Sequence, residues 1–321
     1  MRILALVPGG NGDQVLFFPT IETLKQNYPQ AAIDVLVEPR TKPAYRVCPL
    51  VNEVLTFDYQ DRSGLADYLN LLGMLRDREY DIVLSATSSW VLDLLLWLNG
   101  IEMRVGYQTS GSVFLTNRVP YHTQQYAAQR YHDLLAGIGL QTSCPSLSVT
   151  VPKADIEWAE TAQKLLDIKE SGYILVYSQG KESHSKENPP ELVYPLQSWL
   201  QILTEIQDKQ PDVPIVLLRG QRNQQFIADM VAGNPALKVA SPPDPGKMAA
   251  LIAGANLLLC TDGGPLQLAV AVGTYTIALC GATQRKKRLP PSGGKFIAIE
   301  SPSRAIADIA PVNVLEKIWQ G

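Results

Sequence analysis

Hydrophobic and polar residues alternate along the chain in blocks that predict buried β-strands, each followed by a helix. The first block is the apolar run ILALV at residues 3–7, which is typical of a strand buried on both faces. A glycine-rich segment follows at residues 8–13, and a helix is predicted over residues 14–28. A strand, a tight turn and a helix in this order form the unit from which parallel α/β sheets are built.

The same alternation continues through the chain with one interruption, a Ser-, Thr- and Pro-rich segment at residues 141–152 that predicts a linker. Strands are predicted at residues 32–37, 54–56, 82–86, 103–106, 174–178, 215–218, 237–239, 257–260 and 276–279. Helices are predicted at residues 42–48, 65–77, 91–99, 124–140, 154–166, 196–209, 224–232, 247–254, 265–272 and 313–319. We therefore expect an α/β protein with two Rossmann-like, doubly wound domains, residues 1–150 and 151–321, facing each other across a cleft.

Composition places the chain among soluble enzymes. Its 321 residues are 46% hydrophobic and 18% charged, and a net charge of −3 gives no reason to expect nucleic acid as a partner. Four cysteines are scattered without a C-x-x-C pair, which favours a reducing cytosol over a disulfide-stabilised secreted scaffold. No signal peptide and no apolar stretch of about 20 residues is present, so we expect a cytoplasmic protein that contacts a membrane at most peripherally.

The turn after the first strand offers the first candidate chemistry. Its sequence, Gly9-Gly10-Asn11-Gly12-Asp13, partly fits a dinucleotide fingerprint, but that template needs glycine where the chain has Val15. The carboxylate of Asp13 would also repel a pyrophosphate, so an NAD-dependent oxidoreductase is disfavoured. Two interpretations of Asp13 remain open: a carboxylate that caps the helix, and a catalytic group at the carboxyl end of a parallel strand.

A second glycine turn, Thr261-Asp262-Gly263-Gly264-Pro265, follows the strand at residues 257–260. The backbone N–H groups of Gly263 and Gly264 suit a phosphate at a helix N-terminus, while Asp262 either accepts a hydrogen bond from a ligand or caps the helix. Gln179-Gly180-Lys181 follows the first strand of this half, and Lys181 is a candidate for contact with phosphate, whereas Lys186 and His184 beyond it are better interpreted as part of a solvated loop. The basic run at residues 285–288 supplies one or two more cations, or simply a solvated face.

Other common sites are missing from the sequence. It contains no H-E-x-x-H, G-x-S-x-G or D-x-D motif, and His122 and His132 are ten residues apart, so no metal site is predicted. The five tryptophans occupy helical positions and are predicted to lie in the core; they are Trp90, Trp97, Trp158, Trp199 and Trp319.

Taken together, the two turns and their flanking segments resemble the heptosyltransferase family, glycosyltransferase family nine. The segments that carry the resemblance are ILALVPGGNGD (3–13), PTIETLKQNYPQAAIDVLVE (19–38), VPYHTQQYAAQRYHDLLAGIGL (119–140), LIAGANLLLCTDGGPLQLAVAVG (251–273) and CGAT (280–283). They span nearly the whole chain, and as a set they are fairly specific.

This resemblance implies a GT-B fold in which the first domain binds the acceptor and the second binds a nucleotide-sugar donor. It implies inverting, metal-independent transfer to a cell-envelope glycolipid or polysaccharide, as in lipopolysaccharide biosynthesis, at the inner face of the plasma membrane. Asp13 matches the family's general base. The positions expected to bind the nucleotide diphosphate sugar, which is a co-substrate and not a resident cofactor, are Gly10, Gly12, Gln179, Lys181, Asp262, Gly263, Gly264 and Gln267.

The chain departs from the family pattern on the donor side. Gln267 stands where the family usually has histidine, and Gln224-Gln225 stands near an expected glutamate. Leu192-Val193-Tyr194-Pro195 lacks both the lysine and the tryptophan expected there. The alternative interpretation is therefore a degenerate glycosyltransferase-like protein that binds a nucleotide or a glycan without turnover.

Overall fold

The computed structural model describes residues 1–59, 64–109, 112–169, 171–179, 193–281, 285–291 and 294–320. The chain divides into two compact units, Met1–Thr150 and Val151–Gly321. Each unit is built on one six-stranded sheet whose neighbouring strands all run parallel. The predicted fold class, two doubly wound α/β units, is confirmed.

The first strand of the chain lies in the middle of the sheet of the first unit. Its strands are β1 (Arg2–Val7), β2 (Ala32–Val37), β3 (Glu53–Thr56), β4 (Ile82–Ser85), β5 (Met103–Tyr107) and β6 (Asn117–Val119). In space their order is β3-β2-β1-β4-β5-β6, so the chain builds one half outward from β1 and then returns to build the other half from β4. Parallel sheets of this order bind ligands where the direction reverses, at the carboxyl ends of the two central strands.

The helices of the first unit differ from the prediction in two places. They are α1 (Asn11–Asn27), α2 (Leu65–Arg76), α3 (Trp90–Leu98) and α4 (Ala127–His132), with 3₁₀ turns at Pro39–Val47, Ser112–Phe114 and Asp133–Ile138. The segment predicted as a helix at 42–48 is part of a 3₁₀ turn, which contains Pro43. The helix predicted at 124–140 is shorter, because its second half tightens into a 3₁₀ turn where the backbone of Gly137 packs against Val105.

The second unit repeats the strand order of the first. Its strands are β7 (Ile174–Tyr177), β8 (Ile215–Leu218), β9 (Lys238–Ala240), β10 (Leu257–Thr261), β11 (Thr276–Cys280) and β12 (Phe296–Glu300). Its helices are α5 (Lys153–Leu165), α6 (Leu196–Lys209), α7 (Gln224–Gly233), α8 (Pro245–Ala253), α9 (Gly264–Val272), α10 (Arg285–Arg288) and α11 (Pro311–Gln320), with a 3₁₀ turn at Ile306–Asp308. The order β12-β11-β10-β7-β8-β9 makes β7 and β10 the central pair.

The two tryptophans of α3 lie on the surface, against the prediction that all five belong to the core. Trp90 and Trp97 are 56% and 50% exposed, whereas Trp199 of α6 is fully buried. Helix α3 buries Leu92, Leu95 and Leu96, and residues 90 and 97 lie two turns apart on its opposite face. Trp90 and Trp97 have the helical spacing that was expected, but they lie on the exposed face of this helix and not on its buried face.

No helix in the described part of the chain combines the length and the apolar character needed to cross a bilayer.

Candidate active site

The turn between β1 and α1 closes around the carboxylate of Asp13. The N–H of Gly10 donates to Asp13 Oδ2 at 3.0 Å, and Asp13 is the third residue of α1, so it caps the helix. Gly9 has a φ of 105°, and a β-carbon built there would lie 2.5 Å from the same oxygen. The turn therefore requires glycine at residue 9 for backbone conformation and for space. Asp13 itself is partly exposed.

Two buried side chains support this turn from below. Gln14, which is fully buried, donates from Nε2 to the backbone oxygen of Val7 at 3.0 Å. Its Oε1 accepts from the hydroxyl of Tyr45 at 2.8 Å, and burial holds the pKa of that hydroxyl well above its usual range. Because both ends of the Gln14 amide are bonded, the end of β1 and the start of α1 are held in one arrangement.

The loop after β4 lies beside the turn after β1, because these two strands are neighbours. Leu6 pairs with Ser85, and the N–H of Ala86 donates to the Leu6 oxygen at 3.0 Å. The three residues that follow, 87–89, all carry hydroxyls, and the N–H of Ser89 donates to Thr87 Oγ1 at 3.3 Å. Sequence analysis missed these hydroxyls as candidates, although they follow directly on a correctly predicted strand.

In the second unit, the turn after β10 packs tightly against β7. A β-carbon on Gly263 would lie 2.9 Å from the ring of Tyr177, the last residue of β7. Gly264 begins α9, and Pro265 occupies its first turn as expected. The N-terminal amides of a nine-residue helix thus start at this turn, which is an arrangement suited to an anion.

Gln179 joins the end of β7 to this turn. Its backbone N–H donates to Thr261 Oγ1 at 3.2 Å, and its Nε2 donates to the backbone oxygen of Asp262 at 2.6 Å. Among the described residues its buried Oε1 has no hydrogen-bond partner. The same holds within those residues for Oε1 of Gln267, which is 1% exposed on α9.

Arg288 contacts the turn at two points. Its Nε lies 3.1 Å from Asp262 Oδ2, and its backbone oxygen accepts from Gln267 Nε2 at 3.0 Å. Arg285, in the same basic run, instead pairs with Glu300 at 3.2 Å. Sequence analysis predicted one or two phosphate-binding cations within the run at residues 285–288, and of its arginines the structure brings Arg288 to this turn.

The predicted site residues thus fall into two groups. Gly10, Gly12 and Asp13 lie together in the first unit. The residues brought together in the second unit are Gln179, Asp262, Gly263, Gly264 and Gln267. Lys181 and Leu192 lie outside the described residues.

Asn223 is a buried organiser of the second unit that sequence analysis missed. Its Nδ2 donates to the backbone oxygens of Ser178 and Leu218, both at 3.0 Å, and its Oδ1 accepts from the N–H of Gly220 at 2.8 Å. It therefore ties together the chain ends that leave β7 and β8. Asparagine directly before a predicted helix was the available signal. Gln224 and Gln225, which follow it, are exposed at the start of α7.

Within the described ranges no group of three or more His, Cys, Asp or Glu side chains is arranged to hold a metal ion. The four cysteines are free thiols, and burial raises the pKa of Cys48 and of Cys280 to about 12. None of them lies among the candidate residues, and the groups that the described residues bring to the two turns are carboxylates, amides, hydroxyls, backbone N–H groups and a guanidinium.

Comparison with known proteins identifies similar chains. The family model described as glycosyltransferase family 9 (heptosyltransferase) matches residues 69–318, which include the second turn and leave out the first. Lipopolysaccharide heptosyltransferase 3 of Escherichia coli is 26% identical over 289 residues, which cover 85% of this chain and 81% of that protein. The chloroplastic photosynthetic NDH subunit of subcomplex B 1 of Arabidopsis thaliana is 21% identical over 345 residues, covering all of this chain and 74% of that protein.

Among solved structures, Escherichia coli ADP-heptose lps heptosyltransferase II superposes with a TM-score of 0.80 at 19% identity. The alignment covers 100% of this chain and 98% of that one. At that identity the likeness concerns the fold.

Proposed function

Because the chain belongs to glycosyltransferase family 9, the heptosyltransferase family, we propose that it transfers a sugar from a nucleotide diphosphate to a cell-envelope glycolipid or polysaccharide. In this proposal the first unit binds the acceptor at the inner face of the plasma membrane, and the second unit binds the donor. The observation that carries it is the position of Asp13: a partly exposed carboxylate, fixed by Gly10, at the carboxyl end of a central parallel strand.

Asp13 acts as the general base. It accepts the proton of an acceptor hydroxyl while the hydroxyl oxygen attacks the anomeric carbon, and the bond from that carbon to the diphosphate breaks. A single displacement of this kind inverts the configuration at the carbon. A positioned base typically contributes about 10²- to 10⁴-fold to the rate. Capping by Asp13 is compatible with this role, since a carboxylate presents about four lone-pair positions on two oxygens.

The second turn stabilises the leaving diphosphate. The N–H groups of Gly263 and Gly264 lie at the start of α9, where the helix dipole favours negative charge. Donors that are already oriented toward a developing anion need no reorganisation as the charge appears, which is why they lower the barrier. In this proposal, helix amides and cationic side chains meet the charge that a metal ion meets in other transferases.

The test is the Asp13→Asn variant, assayed with a panel of nucleotide sugars and extracted lipid acceptors. An asparagine oxygen still accepts the N–H of Gly10, so the fold and donor binding should be unchanged while transfer falls about 100-fold or more. The matched control is Asp67→Asn, because Asp67 is also the third residue of its helix and accepts from the N–H of Gly64 at 2.8 Å. Transfer by Asp13→Asn within a few-fold of the unchanged protein would refute the base assignment.

A second candidate is a binding protein without turnover. Two observations favour it: Gln267 is neutral where the family resemblance implies histidine, and the relative from Arabidopsis thaliana is named as a subunit of a complex. Thermal shift with the same nucleotide-sugar panel separates the two candidates, because a bound ligand raises the melting temperature whether or not it reacts. Saturable binding with no transfer to any extracted acceptor would favour the binding protein.

A further inference from the structure

The second unit contains a cation that is built into the glycine turn. Arg288 is the last residue of α10, and its side chain is 31% exposed, so the guanidinium is neither buried nor fully solvated. Its ion-pair partner Asp262 directly precedes Gly263, the residue before α9. The cation is therefore bonded to the segment whose backbone amides face an incoming anion.

Arg288 is held from two sides. Asp262 Oδ2 binds the guanidinium through Nε at 3.1 Å, and Gln267 Nε2 binds the backbone oxygen of the same residue at 3.0 Å. Gln267 is buried on α9, two residues beyond Pro265. The backbone and the head group of Arg288 are thus both tied to the start of α9, which limits the positions that the positive charge can take.

The same cluster holds two buried acceptors that lack donors. In the part of the chain that the structure describes, Gln267 Oε1 and Gln179 Oε1 are both buried without a hydrogen-bond partner, and Gln179 Nε2 donates to the backbone oxygen of Asp262. Unpaired buried acceptors are uncommon in native proteins because each one costs free energy. Acceptors of this kind are satisfied by a ligand that brings hydroxyl groups, while the amides and Arg288 are satisfied by one that brings an anion. A nucleoside diphosphate sugar brings both.

We propose that Arg288 binds the diphosphate of the nucleotide-sugar donor, with Asp262 and Gln267 as the residues that position it. This inference rests on the proposed function and adds a specific residue to the donor site. When the bond between the anomeric carbon and the diphosphate oxygen breaks, its electron pair stays on that oxygen, and Arg288 balances the added negative charge. The proton of the acceptor goes to Asp13.

A guanidinium is suited to this double contact. It carries five N–H donors in a planar fork, so it can bind the carboxylate of Asp262 and a phosphate oxygen at the same time. The Asp262 carboxylate then orients the guanidinium, which keeps N–H donors for the phosphate. A lysine at residue 288 would supply the positive charge, but its ammonium group lacks the planar set of donors that lets a guanidinium contact both partners.

The test compares Arg288→Gln with Arg285→Gln, a control from the same helix whose arginine pairs with Glu300. Calorimetric titration with ADP, UDP and GDP and with the matching nucleosides measures how much each protein prefers the diphosphate. Loss of one charge-assisted contact should weaken binding of the diphosphate about 10- to 100-fold and leave the nucleoside unaffected. The affinity of Arg285→Gln for both ligands should stay within about twofold of that of the unchanged protein. Arg285 pairs with Glu300 on the surface, and loss of such an exposed pair changes little.

Three further results decide the outcome. Arg288→Lys should have a preference for the diphosphate between those of Arg288→Gln and the unchanged protein. If Arg288→Gln does not fold, Arg288→Lys is compared with the unchanged protein instead. Equal diphosphate binding by Arg288→Gln and the unchanged protein would overturn the role of Arg288 while leaving the proposed transferase intact. If the unchanged protein binds no nucleoside diphosphate at all, the donor site itself is wrong and this inference falls with it.

Discussion

A β-carbon on Gly9 would lie 2.5 Å from Oδ2 of Asp13, the oxygen that caps the first helix. The candidate base and the glycine four residues before it therefore occupy adjoining space with no room for a methyl group. Because Asp13 is fixed by its bond to Gly10, the carboxylate cannot move aside without losing that bond. The position of the base is set by a residue that bears no side chain.

The variant Gly9→Ala should consequently lose transfer. Its φ of 105° costs about 1 to 3 kcal/mol for alanine, and the methyl group also displaces the carboxylate. The control is Gly100→Ala in the same unit, where φ is 72° and no atom of a described residue lies within 4 Å of an added β-carbon. Both variants should lower the urea midpoint, Gly9→Ala by more because it also disturbs the cap, but only Gly9→Ala should slow transfer, by about tenfold or more. Equal transfer rates for the two variants would contradict the spatial argument.

A parallel prediction concerns the second turn. In Gly263→Ala the new methyl group would lie 2.9 Å from the ring of Tyr177, so the turn must shift away from β7. We expect ADP, UDP or GDP to bind about tenfold more weakly, because the amides of the turn no longer converge on the diphosphate. Gly273→Ala is the control at the other end of α9, where the described ranges of the chain place no atom within 4 Å of the added carbon. Titration calorimetry measures both, and unchanged affinity in Gly263→Ala would show that the turn does not bind the diphosphate.

The pH dependence of stability should reveal a buried carboxyl in the first unit. Asp93 is 3% exposed, and burial raises its pKa to about 6 although the hydroxyl of Ser85 donates to it at 3.3 Å. The folded protein therefore holds this proton more tightly than the unfolded chain does. The resulting stabilisation is complete below about pH 4 and is lost as the pH rises through about 6.

Asp93→Asn should accordingly raise the free energy of unfolding at pH 7 by about 1 to 3 kcal/mol, and the gain should vanish near pH 4. Urea unfolding at the two pH values gives this difference directly. Asp212→Asn, which alters an exposed carboxylate, should change little at either pH. A loss of stability in Asp93→Asn that is the same at both pH values would mean that packing, and not charge, dominates at this position.

The central strands and one edge strand of each sheet, β3 and β9, were predictable from sequence, whereas the other two edge strands, β6 and β12, were not. Strands β1 and β10 are covered on both faces, so they appear in the sequence as continuous apolar runs. Strands β6 and β12 end their sheets and are partly exposed, and their sequences NRV and FIAIE carry little or only mixed pattern. A strand with one open edge buries less, so its residues are less constrained.

A similar limit applies to the candidate site. The residues of each glycine turn are consecutive in the sequence, and Asp13 belongs to the first of them. Each turn could therefore be recognised as a motif. The pairing of Arg288 with Asp262 spans 26 residues and depends on how α10 packs against α9. The side chain of Asn223 forms hydrogen bonds to the ends of β7 and β8. The sequence around it indicates only a residue that precedes a helix. Contacts between distant segments follow from tertiary packing, which no spacing of residues along the chain encodes.

The bond between Gly10 and Asp13 Oδ2 has a consequence for the evolution of this fold. Since the side chain at residue 13 accepts the N–H of Gly10 at the start of a helix, selection for folding alone will keep an acceptor oxygen there, which asparagine supplies as well as aspartate. A descendant that stops transferring sugar still benefits from this cap, so it will keep aspartate or asparagine at residue 13. Of these two residues only the aspartate can accept a proton from an acceptor hydroxyl, so aspartate at residue 13 marks the proposed activity, whereas asparagine marks the fold alone.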